Sequence, residues 1–360
     1  MSTSTFRTAV VRTPAGPGAI EITDVPLVEP GPGEVRVEIA AAAVNPVDLA
    51  VAGGRFHAMG LVDQPDHTGL GWDFAGTVAT AGRGVDLAVG TRVAGLVDGF
   101  DRDFGTYAEQ LVVPAANLAI VPDGLDLVAA STVPLNGLAA AQIVDLLGHA
   151  PPYANRLLVT GAAGAVGGYA AALAQDRGWQ VTGLARAGDE EFVRGLGADF
   201  TAHAEPGWDA VADCAVLQER GLALVRDGGA FVGVLPGAEP ATERGITADA
   251  VVARPDGARL GDLLARTASG ELPARVHAVV PLDHVADAHR AVAQGGVRGR
   301  YVLSPDRPGT RDLERDTDLT GRVGAGGLRD AARPDGSRVG VDAHDVRHDV
   351  ERPRPAPLTR

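Results

Sequence analysis

The sequence predicts an α/β protein in two parts, a small barrel-like β domain followed by a doubly wound parallel sheet. Three observations predict it. Short strand-like stretches separated by Pro- and Gly-rich turns fill the first third of the chain. Strand-like and helix-like stretches then alternate from residue 156 to residue 304. A run of small residues, Thr160 to Gly168, sits at the first strand-to-helix junction of that alternation. Closely spaced short strands favour a barrel or sandwich, and strand–helix alternation favours parallel βαβ units.

Taken in order, Thr8–Arg12, Ile20–Asp24 and Glu34–Ala41 read as strands, the last alternating Val35, Val37 and Ile39. The turn Glu29-Pro-Gly-Pro-Gly-Glu34 separates two of them. Further strands are expected at 74–80, 91–95 and 107–113. Residues 125–147 are rich in Ala and Leu with a helical period. Arg156–Thr160 reads as a buried strand, Val166–Arg177 as an apolar helix and Gln180–Leu184 as the next strand. A helix (Asp189–Leu196), a strand near Ala210–Ala215, a helix (Leu217–Val225) and a strand (Gly229–Leu235) follow. Residues 249–270 repeat the unit; a strand from 276, the helix Leu282–Ala293 and the strand Gly299–Leu303 close it.

Composition narrows the function. The chain has 360 residues, a net charge of −14, and 32 basic residues that are all arginine. An acidic chain lacks the basic footprint that phosphate backbones require, so no nucleic-acid partner is expected. The single cysteine, Cys214, excludes a disulfide framework and a Cys-rich zinc lobe. No apolar run reaches membrane-spanning length and the first residues carry no apolar signal core, so a cytoplasmic protein without a membrane partner is expected. Residues 305–360 hold 11 Arg and 11 Asp plus Glu with no aromatic residue, a composition expected to give a disordered tail.

The sharpest motif is Thr160-Gly-Ala-Ala-Gly-Ala-Val-Gly-Gly168. Small residues allow a tight turn, bring backbone N–H groups close to a pyrophosphate and aim a helix N-terminus at it. Gly161, Ala163, Gly164, Ala165, Val166 and Gly167 are the cradle candidates, and Gly167 and Gly168 would let helix pack closely on strand. The competing reading is a plain Gly/Ala-rich turn; the strand–helix setting favours the nucleotide. Sites for NAD carry an acid about 20 residues past the loop. Here the second strand ends in Gly183-Leu-Ala-Arg186, and Asp189 is the first acid. A guanidinium attracts a 2′-phosphate, so NADP(H) is the expected cofactor, with Arg186 as its reader. Arg300, beside the last strand, is a weaker nucleotide candidate, with a surface position the favoured alternative; a solvated surface arginine is the competing reading for Arg186.

Several blocks then occur in a telling order. They are Ala42-Ala-Val-Asn-Pro-Val-Asp48, Gly71-Trp-Asp-Phe-Ala-Gly-Thr-Val78, Gly90-Thr-Arg-Val-Ala94, Gly105-Thr-Tyr-Ala-Glu-Gln-Leu-Val-Val-Pro114, Pro134-Leu-Asn-Gly-Leu138, the glycine loop, and Gly295-Gly-Val-Arg-Gly-Arg-Tyr-Val-Leu303. With them, residues 5–304 resemble the medium-chain dehydrogenase/reductase superfamily, and most of all its zinc-independent quinone oxidoreductase-like branch. The resemblance implies a GroES-like β-barrel catalytic domain, residues 1–126 completed by 272–304. That split domain encloses a Rossmann NADP(H)-binding domain, residues 127–271. It also implies hydride transfer from NADPH to a quinone, enone or related carbonyl acceptor, and a homodimer. Zinc-dependent relatives use a Cys and a Gly-His-Glu segment. The second is Gly71-Trp72-Asp73 here, and the Cys position falls among Val44-Asn45-Pro46, so no metal is expected.

A metal-free reductase needs a placed nicotinamide, a polarised acceptor and a proton source. Asn45 and Asp48 match family positions near the substrate: Asn45 as a donor to the acceptor carbonyl, Asp48 as an orienting group or a plain turn cap. His57 is the proton-source candidate, with His67 and solvent as alternatives. Phe56, Met59 and Trp72 could wall a flat substrate, with core packing the competing role for Trp72. Ala50, Phe56 and Ala139 depart from the residues the related quinone reductases show. They leave room for a tailoring enzyme of the same fold (enoyl or ketone reduction, or a redox-neutral cyclisation) or a non-catalytic NADPH sensor.

Overall fold

The computed structural model describes residues 4–305. The expectation of a disordered tail falls on residues outside that range, apart from Pro305.

The first strand, Thr5–Val11, pairs antiparallel with Ile20–Pro26 and briefly with Thr68–Gly69. A second sheet is built on Glu34–Ala43, whose neighbours are Asp73–Ala81 on one side and Gln110–Pro114 on the other. Arg92–Leu96 and Leu118–Ile120 extend it. The alternation in the Glu34–Ala43 strand does what period-2 patterning requires. Val35, Val37 and Ile39 enter a core shared by both sheets with Phe6, Phe74 and Tyr107.

The same sheet is completed from the far end of the chain. Arg300–Ser304 pairs antiparallel with Glu34–Ala43 through Val302 and Ala43 and through Leu303 and Ala42. Val276–Pro281 lies beside it in parallel. Arg7 ties this closure down. It is 8% exposed, bonds Glu109 and Asp283 at 2.8 Å each and donates to the Pro305 carbonyl at 3.1 Å.

Between these segments lies a six-stranded, fully parallel sheet. Its order is Asp199–Thr201, Gln180–Leu184, Arg156–Thr160, Trp208–Asp213, Val225–Gly233 and Thr247–Ala250. In chain order that is 3-2-1-4-5-6, the doubly wound arrangement of a Rossmann domain. Arg156–Thr160 is apolar on both faces because helices or loops cover both. Leu157 and Val159 pack in a core with residues of the helices Pro134–Leu147 and Ala165–Gln175. Leu158 packs oppositely with Trp208, Leu222 and Phe231.

Most expected elements appear within two or three residues of their expected ends. Arg156–Thr160 and Gln180–Leu184 match residue for residue. Two are corrected: the helical stretch 125–147 is two helices, Leu127–Ala130 and Pro134–Leu147, and Leu217–Val225 is helical only over Glu219–Leu222, with Val225 already starting the next strand. The helices Pro46–Ala52 and Arg55–Ala58 and the strand Asp199–Thr201 are additions to the expected elements.

Candidate active site

The glycine loop lies where the strand order reverses, between Arg156–Thr160 and its two neighbours, at the C-terminal edge of the parallel sheet. Gly161 has φ +61°, a conformation that favours glycine. A Cβ at Gly167 would lie 2.3 Å from the Gly161 carbonyl oxygen, so helix and turn touch there. The expectation of equally close packing at Gly168 is corrected, because a Cβ there meets Phe192 only at 3.5 Å. Gly164 starts the helix Ala165–Gln175, and no side chain caps it. The first-turn N–H groups therefore face outward toward any oxygen ligand. Uncapped donors, a left-handed glycine and a bare turn fit the pyrophosphate of a dinucleotide.

The neighbouring loop is held by Asp213, buried at the end of Trp208–Asp213. Its carboxylate accepts from Thr160 Oγ1 at 2.6 Å and from the Gln218 N–H at 2.8 Å. Val216 and Gln218 within this loop have φ +57° and +55°, strained for residues with side chains.

A buried polar cluster joins the two parts of the protein. Asn45 is 1% exposed and precedes the helix Pro46–Ala52. Its amide donates to Asp73 Oδ1 at 2.9 Å and to the Ala43 carbonyl at 3.3 Å, and its Oδ1 accepts from Asn136 Nδ2 at 3.2 Å. Asn136 Oδ1 in turn accepts from Arg300 Nη2 at 2.6 Å. Asp73 Oδ2 accepts from the Leu135 N–H at 3.4 Å, placing a carboxyl at the N-terminus of Pro134–Leu147, where the helix dipole favours negative charge. Burial, reinforced by Asp48, lifts the Asp73 pKa to about 8, against the pull of Arg300.

Asp48 forms a capping box. It accepts from the Asn45 N–H at 2.8 Å and also from the Gly71 N–H at 3.1 Å. Burial raises its pKa to about 6, partly offset by these hydrogen bonds. Gly71 cannot carry a side chain, since a Cβ would meet Thr106 Oγ1 at 2.3 Å. Arg102 donates to the Gly71 carbonyl and lies 5.0 Å over the Trp72 ring.

The structure brings the expected site residues together unevenly. Asn45 faces inward, and its amide bonds leave no N–H for an acceptor carbonyl in this arrangement. His57 Nε2 lies 3.1 Å from Thr68 Oγ1, while its Nδ1 is buried without a partner. Phe56 stacks on Phe100 with ring centroids 3.8 Å apart, and Trp72 meets Phe100 edge-on at 5.5 Å. Trp72 is 6% exposed and packs in the core, whereas Met59 is 54% exposed. Arg186 is exposed directly past Gln180–Leu184. Arg300 is not a surface arginine. Its guanidinium enters the Asn136 cluster, and its Nε is buried without a partner beside a narrow recess lined by Thr132, Gly164, Ala165, Tyr169 and Arg275.

Asp73, Asn136, Thr132, Arg275, Arg298 and Phe100 are additions to the expected site. Asp73 and Asn136 lie inside quoted motif blocks, which was the available signal. Arg298 also lies in a quoted block, the one that closes the chain's last strand, whereas Arg275 had no such signal, because its role comes from the fold alone. Among the described residues, no three His, Cys, Asp or Glu side chains converge to hold a metal ion. No helix of the described residues is long and apolar enough to cross a membrane.

A barrel-like part closed by distant strands, wrapped around a dinucleotide fold, defines a pyridine-nucleotide oxidoreductase architecture. Residues 31–123 match the alcohol dehydrogenase GroES-like domain, and residues 187–303 match the zinc-binding dehydrogenase model. The chain is 30% identical over 290 residues to 2-methylene-furan-3-one reductase of Solanum lycopersicum, covering 72% of that protein. It is 31% identical over 348 residues to the pikromycin polyketide synthase component PikAII of Streptomyces venezuelae, but spans 9% of that protein's length. The quinone oxidoreductase of Coxiella burnetii superposes with a TM-score of 0.74 over 84% of this chain and 100% of its own, at 24% identity. The chain belongs to the medium-chain dehydrogenase/reductase superfamily.

Proposed function

We propose that this protein is an NADPH-dependent reductase that works without zinc and passes hydride to a quinone, an enone or a related carbonyl acceptor. One observation carries the reading. The uncapped start of Ala165–Gln175 shares a recess with Arg300 and Thr132, which belong to segments the Asn45 cluster ties together. In this reading residues 1–126 with 272–304 form the catalytic part and 127–271 the NADP(H)-binding part. Bound NADPH supplies the hydride. Gly161, Ala163, Gly164, Ala165, Val166 and Gly167 hold its pyrophosphate, Arg186 meets the 2′-phosphate and Arg300 donates from inside the cleft. Asn45 and Asp48 act as positioning residues. His57 carries the proton, Phe56 and Trp72 wall the acceptor with Phe100, and Met59 sits at the rim. The protein is read as a cytoplasmic homodimer acting on a small molecule.

A zinc ion does not suit this donor set. Trp72 cannot ligate, and both Asp73 oxygens already accept hydrogen bonds. For the acceptor, the name of the tomato relative supports a carbonyl conjugated to C=C. Similarity to PikAII over 87% of this chain favours a second reading, enoyl reduction in a biosynthetic pathway.

NADPH oxidation followed by absorbance against quinones, enones and enoyl thioesters tests this directly. Turnover is expected with at least one conjugated acceptor, and added chelator should not change the rate. Tight NADPH binding with no turnover on any acceptor would sink the reductase reading.

A further inference from the structure

We infer that Asp189 and Arg298 form a charge-exchange site, in which the 2′-phosphate of NADP(H) takes over the guanidinium fork that Asp189 holds in the free protein. The inference rests on the NADP(H) reading above and adds a second specificity residue from the opposite side of the cleft.

Asp189 is 9% exposed and lies three residues past Arg186, beside the expected 2′-phosphate position. Arg298 Nε and Nη2 reach its two oxygens at 2.6 and 2.5 Å. This fork matches carboxylate and phosphate geometry equally. Arg298 comes from the segment leading into the closing strand Arg300–Ser304, so the pair bridges the two parts of the protein. Its segment has Gly295, Gly296 and Gly299 at φ +70°, +77° and +94°, conformations that favour glycine and turn the chain so that Arg298 faces Asp189.

The surroundings are cationic. Arg275 stacks 4.0 Å over the Phe192 ring and donates to the Ala163 carbonyl at 2.7 Å. Arg298, Arg275 and Arg186 all act electrostatically on Asp189. Three guanidinium groups thus face one carboxylate, in a chain whose net charge is −14. Glu190, the next acid, is engaged by Arg194 at 2.8 Å. Burial and the neighbouring Arg298 charge both work against protonated Arg275. A dianion placed here relieves that repulsion.

Asp189 has a rival role, because an acid about 20 residues past the loop usually binds the ribose hydroxyls of NAD. The fork argues against it, since both carboxylate oxygens already accept from Arg298.

Fluorescence titration of the full chain with NADPH and with NADH separates these readings, with melting curves to verify folding of each variant. Arg298→Ala should weaken NADPH binding by about 10- to 100-fold, the worth of a charged hydrogen-bond pair, and leave NADH within about twofold. Asp189→Asn should tighten NADPH severalfold, because the fork is released. If Arg298→Ala weakens both cofactors equally, or improves NADH, the exchange site is refuted. If the wild type prefers NADPH and only Arg186→Ala abolishes that preference, the cofactor reading stands and this inference falls. A wild type with no preference for NADPH overturns both.

Discussion

Asp73 shows how one side chain can serve two parts of a protein. It accepts from Asn45 on the barrel side and from the Leu135 N–H at the start of a Rossmann-side helix. Its pKa, raised from 3.8 to about 8, has a definite consequence for stability. Between those values the unfolded chain releases the proton and the folded chain keeps it, so stability falls as pH rises through that window. Asp48 adds to the same trend from 3.8 up to about 6. Asp73→Asn should lower the melting temperature at pH 5, because its amide cannot satisfy both donors, yet flatten the decline from pH 5 to 8. Melting curves of wild type and variant that run parallel across that range would show Asp73 ionised in both states. Asn45 and Asp48 were legible from their motif block. The cluster they enter was not, because its individual hydrogen bonds link residues up to 164 positions apart that share no periodicity.

At the scale of elements, the helix Ala165–Gln175 tests how closely it must approach the turn before it. Gly167→Ala puts a methyl against a backbone carbonyl, which cannot yield as a side chain would. The expected cost is about 1–3 kcal/mol in urea unfolding, as for other overpacked sites. Gly168→Ala has room, and gains helix propensity, so it should be neutral or stabilising by up to about 1 kcal/mol. Equal losses in the two variants would refute the close-contact account. Elements with a strong local signal were readable from the sequence. Arg156–Thr160 carries an unbroken apolar run, Leu157–Val159, and Gln180–Leu184 ends shortly before the helical turn Ala187–Asp189. Asp199–Thr201 was not readable, because three residues carry no pattern and the strand exists through its register with Thr182–Leu184. The short helix Glu219–Leu222 was overextended because Leu217–Val225 keeps an apolar helical spacing after the backbone has turned into the next strand.

The whole molecule depends on a closure that crosses almost its full described length. Arg7, near the start, holds Glu109, Asp283 and the Pro305 carbonyl at once. Its two acids are partly exposed, at 35% and 52%, which limits what each pair contributes. Arg7→Met should still cost about 1–3 kcal/mol, since several charge-assisted hydrogen bonds go together. If denaturant midpoints stay unchanged, the closure is held by the strand pairing alone. The two-part architecture was legible because strand spacing and strand–helix alternation are local patterns. That the final strands complete the first part came only with the family resemblance, and their pairing with Glu34–Ala43 only with the structure, since antiparallel partners far apart in sequence leave no local trace.

That distant pairing also orders events in time. During synthesis, Ala42 and Ala43 wait for partners about 260 residues downstream, roughly 10–50 s at typical elongation rates. The Val44 N–H, immediately before Asn45, finds its acceptor only when Tyr301 arrives. Arg300 joins the Asn136 cluster at the same moment. The parallel sheet around Arg156–Thr160 can form earlier from its own contiguous segments, so a nascent chain can have its glycine turn before the Asn45 cluster is complete. Slow, long-range closure is the kinetic signature of such non-local topologies, and here it makes the polar cluster of Asn45, Asn136 and Arg300 a late-assembling part of the described residues.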